Sequence, residues 1–304
     1  MAMAKRTLLF LAVNFLVIIT LSLVLNIFHI QPFLQNYGLN VQSLMIFCMI
    51  WGMGGALISL ALSRQMAKWM MGVKLIDPNT QDLALSHLVK TVYALAKDAH
   101  LPMPEVGIFE SAAPNAFATG PSKKKSLVAI SSGLLRRMSQ KELEGVLAHE
   151  ISHIANGDMV TMTLIQGVVN AFVMFLARAL AYIVSGIGRN RNNNSSSGGS
   201  YLSYTLFVLL FEVVFMVFGS LVTAKFSRWR EFRADRGGAD LAGKEKMIAA
   251  LEALQKTYSA EDPRTEKASF QALKISTRQK MGLLSLFSTH PPLTERIERL
   301  KSTL

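Results

Sequence analysis

From residue 139 to residue 153 the chain reads SQKELEGVLAHEISH. Its last five residues, His149-Glu150-Ile151-Ser152-His153, have the form H-E-x-x-H. On a helix, positions i and i+4 share a face, so both imidazoles can reach one zinc ion. Glu150 follows the first ligand and can lie beside a zinc-bound water as its general base. A chance match on a surface helix is the plainer alternative, and the context argues against it. Ser139 and Glu142 have the spacing of a capping box. Leu143, Val146, Leu147 and Ile151 follow at helical spacing, so the motif sits about three turns into a well-started helix. One zinc per chain is expected.

Composition sets this helix in an unusual chain. Of 304 residues, 51% are hydrophobic, and the mean hydropathy is +0.32. That is too apolar for an ordinary soluble enzyme. The net charge of +12 comes with no basic stripe interleaved with aromatics, so nucleic acid is not expected as a partner. The one cysteine, Cys48, lies in an apolar run and can form no intrachain disulfide, which fits a reducing compartment. Four apolar segments are long enough to span a bilayer: Leu8–Ile30, Val41–Leu62, Met159–Gly188 and Tyr201–Ala224. In the second, Gly52, Gly54, Gly55 and Ala56 would permit close helix packing. Lys5 and Arg6 before the first could open a signal peptide, but the apolar run is too long and no small-residue cleavage site follows, so an uncleaved anchor is expected.

The basic residues orient the spans. Gln31–Asn40 carries no charge. Arg64, Lys68 and Lys74 follow the second span, and Lys225, Arg228, Arg230, Arg233 and Arg236 follow the fourth. Both termini and the segment between spans two and three are expected in the cytoplasm. The organisation expected is a membrane hairpin over 1–63, a first catalytic part over 64–158, a second hairpin over 159–224 and a second catalytic part over 225–304. The two catalytic parts are each small and are expected to fold together. Leu83–His100 reads as an amphipathic helix, and Glu105–Glu110, Asn115–Thr119 and Ser126–Ser131 as short strands. Arg230–Ala242, Lys244–Tyr258 and Thr294–Lys301 read as helices, and Pro263–Lys280 as a polar segment. The fold class is thus an α-helical integral membrane protein, with about four transmembrane helices and a cytoplasmic α+β zinc peptidase domain of the gluzincin type.

Catalytic zinc usually takes three protein ligands and leaves one position open. A third histidine in the H-E-x-x-H-x-x-G-x-x-H pattern is excluded, because position 159 is Met and position 156 is Asn. Glu231 is the best remaining candidate, with Asp235 one turn on to orient a histidine ligand through its second ring nitrogen. The alternative is an exposed charged helix, since four arginines surround both acids.

These stretches together resemble the HtpX family of bacterial inner-membrane zinc metalloproteases, related to the CAAX prenyl proteases. The likeness runs over nearly the whole chain, through Asn115–Gly120, the His149–His153 motif, Glu231–Asp235 and Ser288-Thr289-His290-Pro291-Pro292. The resemblance implies Glu231 as third ligand and His290 as a donor near the metal that stabilises the transition state. It also implies that Asn115, Ala116, Phe117 and Ala118 form an edge strand against which substrate backbone pairs. Without it, His290 reads as a loop histidine beside a Pro-Pro turn, and 115–119 as an ordinary strand. His29, His87 and His100 lie outside any motif and read as structural or exposed. The implied function is endoproteolysis of misfolded or damaged membrane proteins at the cytoplasmic face, in quality control and stress response, with polypeptides and the lipid bilayer as partners. The alternatives are a prenyl-peptide processing protease and a catalytically silent zinc-dependent scaffold; the presence of Glu150 weighs against the second.

Arg178 and Glu212 interrupt the third and fourth spans at similar expected depth. A charge in the bilayer core is costly, so the two are expected to pair and fix helix register; separate solvation in a water-filled cavity is the alternative.

Overall fold

The computed structural model describes residues 40–189, 197–260 and 287–302. The expected first span, most of the Asn/Ser/Gly-rich stretch and the polar segment 263–280 lie outside the described residues. The elements are α1 (Val41–Met70), β1 (Lys74–Leu75), α2 (Leu83–Asp98), β2 (Glu105–Phe109), β3 (Ala116–Ser122), β4 (Lys125–Ser131), α3 (Ser132–Arg137), α4 (Gln140–Asn156), α5 (Asp158–Arg189), α6 (Ser197–Ala242), α7 (Lys244–Ala260) and α8 (Leu293–Ser302). They fall into two compact units, one holding the described parts of Met1–Ile58 and Thr163–Thr223, the other those of Ser59–Met162 and Ala224–Leu304.

In the first unit, α1 and α5 run antiparallel. Val41, Met45, Cys48 and Met49 pack against Ala171, Phe175 and Ala179. Gly52 lets the backbones meet: a Cβ there would fall 2.6 Å from the Ala171 nitrogen. Gly54 and Gly55 have nothing within 4 Å among the described residues, while Ala56 stands 3.4 Å from where a Cβ on Gly167 would lie. Arg178 Nη1 lies 2.7 Å from Glu212 Oε1, which ties α5 to α6 as expected. Among the described residues three helices are long and apolar enough to cross a membrane, within Val41–Met70, Asp158–Ser185 and Leu202–Ala242.

The second unit is built on a four-stranded sheet of order β1-β2-β4-β3. β2 and β4 are parallel, and β1 and β3 add antiparallel at the two edges. β4 is buried on both faces, which matches its near-continuous run Leu127-Val128-Ala129-Ile130. On one face Leu88, Val92, Val128, Ile130, Val146, Leu147 and Ile151 join α2 and α4 in the main core. On the other, Leu127 and Ala129 meet Val73 and Phe109. Met247 and Leu251 of α7 pack with Ile297 and Leu300 of α8.

Three details depart from the sequence reading. β3 runs on to Ser122 through Gly120 and Pro121; it is an edge strand, where proline removes no ladder bond. β1 and α3 were not expected, being too short to show a period. The helix expected over Arg230–Ala242 is not separate from the fourth span. α6 is one helix of 46 residues, because residues 225–230, Lys-Phe-Ser-Arg-Trp-Arg, contain neither Gly nor Pro to stop it.

Candidate metal centre

α4 begins at a full capping box. The Ser139 N–H donates to Glu142 Oε2 at 2.7 Å, and the Glu142 N–H donates to Ser139 Oγ at 3.5 Å. About three to four turns later the helix delivers His149 and His153 to one buried face. Gly157 then closes the helix at φ 72°, a left-handed conformation that glycine adopts without strain. This turn brings Asp158, at the start of α5, back to His153, with Oδ2 2.7 Å from Nδ1. Asp235 Oδ1 lies 3.0 Å from His149 Nδ1. Each histidine therefore has Nδ1 bound to a carboxylate, which leaves its Nε2 as the acceptor nitrogen.

Those two Nε2 atoms lie 3.1 Å apart. Glu231, fully buried, completes a triangle: Oε2 is 3.4 Å from His149 Nε2, and Oε1 is 3.4 Å from His153 Nε2. Three atoms bound tetrahedrally at the usual metal–nitrogen and metal–oxygen lengths stand about 3.3 Å apart. The three residues therefore fit a small divalent metal by size and by donor type. Glu231 Oε2 is buried and makes no hydrogen bond of regular geometry among the described residues, although His290 Nδ1 stands 3.0 Å away. The exposed-helix alternative for Glu231 fails on this burial. α6 reaches α4 closely because Gly238 carries no side chain: a Cβ there would stand 3.1 Å from the His149 nitrogen.

Electrostatics hold the donor set in place. Burial would raise the Glu231 carboxyl, but His290, His153 and His149 hold it well below the usual range. Burial would likewise raise Asp235, and the Arg296 guanidinium holds it below its ordinary value. Burial pushes His149 down, yet Asp235 and Glu231 outweigh it and lift the imidazole to about 9. His153 is raised in the same way by Glu231 and Asp158 against its burial.

The other expected site residues sit as follows. Glu150 is 5% exposed on α4. His290 Nδ1 is 3.0 Å from Glu231 Oε2, so it meets the site through the glutamate. Its loop is anchored by Ser288 Oγ donating to the His290 carbonyl at 2.7 Å and Arg228 Nη1 donating to the Ser288 carbonyl at 2.8 Å. Asn115 is buried, and its Oδ1 has no hydrogen-bond partner among the described residues. Ala116, Phe117 and Ala118 form β3, at the sheet edge. The Ser131 N–H donates to the Asn115 carbonyl at 2.8 Å. By strand alternation Phe117 and Thr119 also face β4, so Ala116 and Ala118 turn their main-chain groups to the open edge. Lys123 Nζ donates to the Ala155 carbonyl and ties the β3–β4 turn to the end of α4.

Sequence reasoning missed two residues. Arg296 is fully buried and grips Asp235 with two bonds, Nε to Oδ2 at 2.8 Å and Nη2 to Oδ1 at 2.5 Å. Its signal was an arginine on the apolar stripe of α8, beside Leu293, Ile297 and Leu300. Asp158 carried a signal too, an acid directly after the glycine that stops the metal-binding helix. Arg233 Nη2 in turn pairs with Asp158 Oδ1.

The model of peptidase family M48 matches residues 82–304. The "Protease HtpX homolog" of Bacillus subtilis is 46% identical over 308 residues, covering 99% of this chain and 100% of that protein. Its namesake in Prosthecochloris aestuarii is 48% identical over 300 residues, covering 98% and 99%. Among solved structures, Ste24p of S. mikatae superposes with a TM-score of 0.60 at 19% identity, covering 96% of this chain and 67% of that one; at that identity the likeness concerns the fold alone.

Proposed function

The chain belongs to peptidase family M48, and on that footing we propose that it is a membrane-embedded zinc endopeptidase that cuts misfolded or damaged membrane proteins at the cytoplasmic face of the inner membrane. The observation that carries this reading is the triangle of His149 Nε2, His153 Nε2 and Glu231, with both Nδ1 atoms already committed to carboxylates. His149, His153 and Glu231 would hold the zinc, with Asp235 and Asp158 fixing the two rings. When bound, the metal supplies Lewis acidity, polarising the scissile carbonyl and acidifying a water. Glu150 takes the proton of the attacking water and passes it to the leaving amine. His290, beside Glu231, donates a hydrogen bond to the oxyanion that develops on the carbonyl. The edge of β3 binds substrate main chain through Ala116 and Ala118, with little demand on side chains. That tolerance suits a protease acting on many unfolded sequences in quality control and stress response.

Glu150→Gln tests the assignment. The variant is expected to bind metal at wild-type stoichiometry and to lose peptide hydrolysis by at least about a hundredfold. Near-normal cleavage by metal-loaded Glu150→Gln protein would remove Glu150 from its role. Greater turnover of a farnesylated peptide than of an unfolded membrane protein would replace the proposed substrate class.

A further inference from the structure

Glu231 differs from the two histidines in how it is held from outside. Asp235 backs His149 and Asp158 backs His153, and each aspartate is backed in turn by an arginine, Arg296 or Arg233. The third donor has an arginine of its own. Arg230 Nη2 donates to Glu231 Oε1 at 2.9 Å. The two residues are neighbours on α6, so the contact forms within one helix and waits on no distant element.

The contact treats the two carboxylate oxygens differently. Oε1 accepts from a guanidinium, a charge-assisted bond of ordinary length. Oε2 is buried and makes no hydrogen bond of regular geometry among the described residues. Yet both oxygens face the donor triangle, Oε2 at 3.4 Å from His149 Nε2 and Oε1 at 3.4 Å from His153 Nε2. A carboxylate so placed could give a metal one oxygen or both. Both would raise the protein donors from three to four and crowd the position that catalysis leaves open.

The neighbouring arginines have other duties. Arg228 donates to the Ser288 carbonyl, Arg233 pairs with Asp158, and Arg296 is bound twice to Asp235 and stands 3.8 Å from Glu231 Oε2. The Arg230 Nε is buried with no hydrogen-bond partner among the described residues. Native structures carry such a cost mostly where function requires the side chain to stay in place. A guanidinium is also charged at every working pH, so its hold on Oε1 is constant.

We propose that Arg230 is a positioning residue of the metal centre: it holds Glu231 Oε1 back, so that the carboxylate ligates through Oε2 alone and the fourth position stays open. This rests on the metal site proposed above.

The test uses the full chain in detergent, loaded with cobalt(II), whose visible spectrum reports the number and kind of its donors. In Arg230→Gln the freed oxygen should join the metal. The resting spectrum should change at unaltered stoichiometry, and azide, a probe of the open position, should bind about tenfold more weakly. Arg230→Lys keeps a cationic donor and should restore most of the wild-type spectrum. Arg236→Gln removes the same charge from an exposed position on the same helix and should leave spectrum and azide binding as in wild type. Melting temperatures of the chelated variants, within a few degrees of wild type, guard against misfolding. An unchanged resting spectrum in Arg230→Gln overturns the proposal, even with weaker azide binding, since loss of charge alone would explain that. An equal spectral change in Arg236→Gln overturns it too. A wild-type chain that takes up no cobalt would overturn the metal site itself, and this inference with it.

Discussion

Asp158 and Asp235 reach the two histidines from different helices, yet each does the same thing: it accepts from Nδ1 and is itself held by an arginine. Fixing the ring and its tautomer is worth a factor in metal affinity. Asp235→Asn should therefore weaken metal binding about 10- to 100-fold, measured by competition against a chelating dye; an unchanged affinity would leave Asp235 with a purely structural part. The same site sets a pH dependence. His149 stands at about 9 in the folded protein, against about 6.5 for an unperturbed histidine. A raised pKa means that the folded state holds the proton more tightly. The associated stabilisation is complete below about 6.5 and is lost as pH climbs through about 9. With metal stripped by chelator, the melting temperature should fall over that window, and saturating metal should abolish the fall by taking the proton's place. A flat or rising melting temperature in the chelated protein would contradict this.

At the level of the element, β3 makes the clearest demand. Its outward main-chain groups belong to Ala116 and Ala118, while Asn115 faces β4. Ala118→Pro removes an outward N–H and spares the ladder, as an edge strand allows. It should raise KM several-fold while leaving the melting temperature within a few degrees; a loss of folding would show that Ala118 serves the sheet. The elements themselves were legible in the sequence to unequal degrees. α4 announced itself through its capping box, its apolar stripe and its two histidines. Glu231 and Asp235 could be chosen because a metal needs a third ligand and one turn separates the pair. Arg296 was hidden because its partner lies far away in the chain, and a local pattern carries no information about which distant acid a buried cation meets. The unbroken α6 was misread for the opposite reason: a change of composition at Lys225 suggested a boundary where no backbone signal ended the helix.

For the whole molecule, the basic residues flanking the spans lead us to predict a cytoplasmic active site. Lys141 is exposed and the native Cys48 is buried, so a Lys141→Cys chain carries one reachable thiol. In intact cells it should resist an impermeant maleimide until the inner membrane is opened; labelling from the periplasmic side would reverse the orientation. The catalytic unit is drawn from two separated stretches, Ser59–Met162 and Ala224–Leu304, and this has a consequence in time. His149 and His153 leave the ribosome first; Glu231 is 78 residues behind His153 and His290 is 137 behind it. At about 5–20 residues per second, several seconds pass with two ligands made and the third not yet translated. The apolar sequence of α5 and α6 emerges in that interval. A nascent chain therefore cannot assemble its cutting centre before the segments that commit it to the membrane have been synthesised.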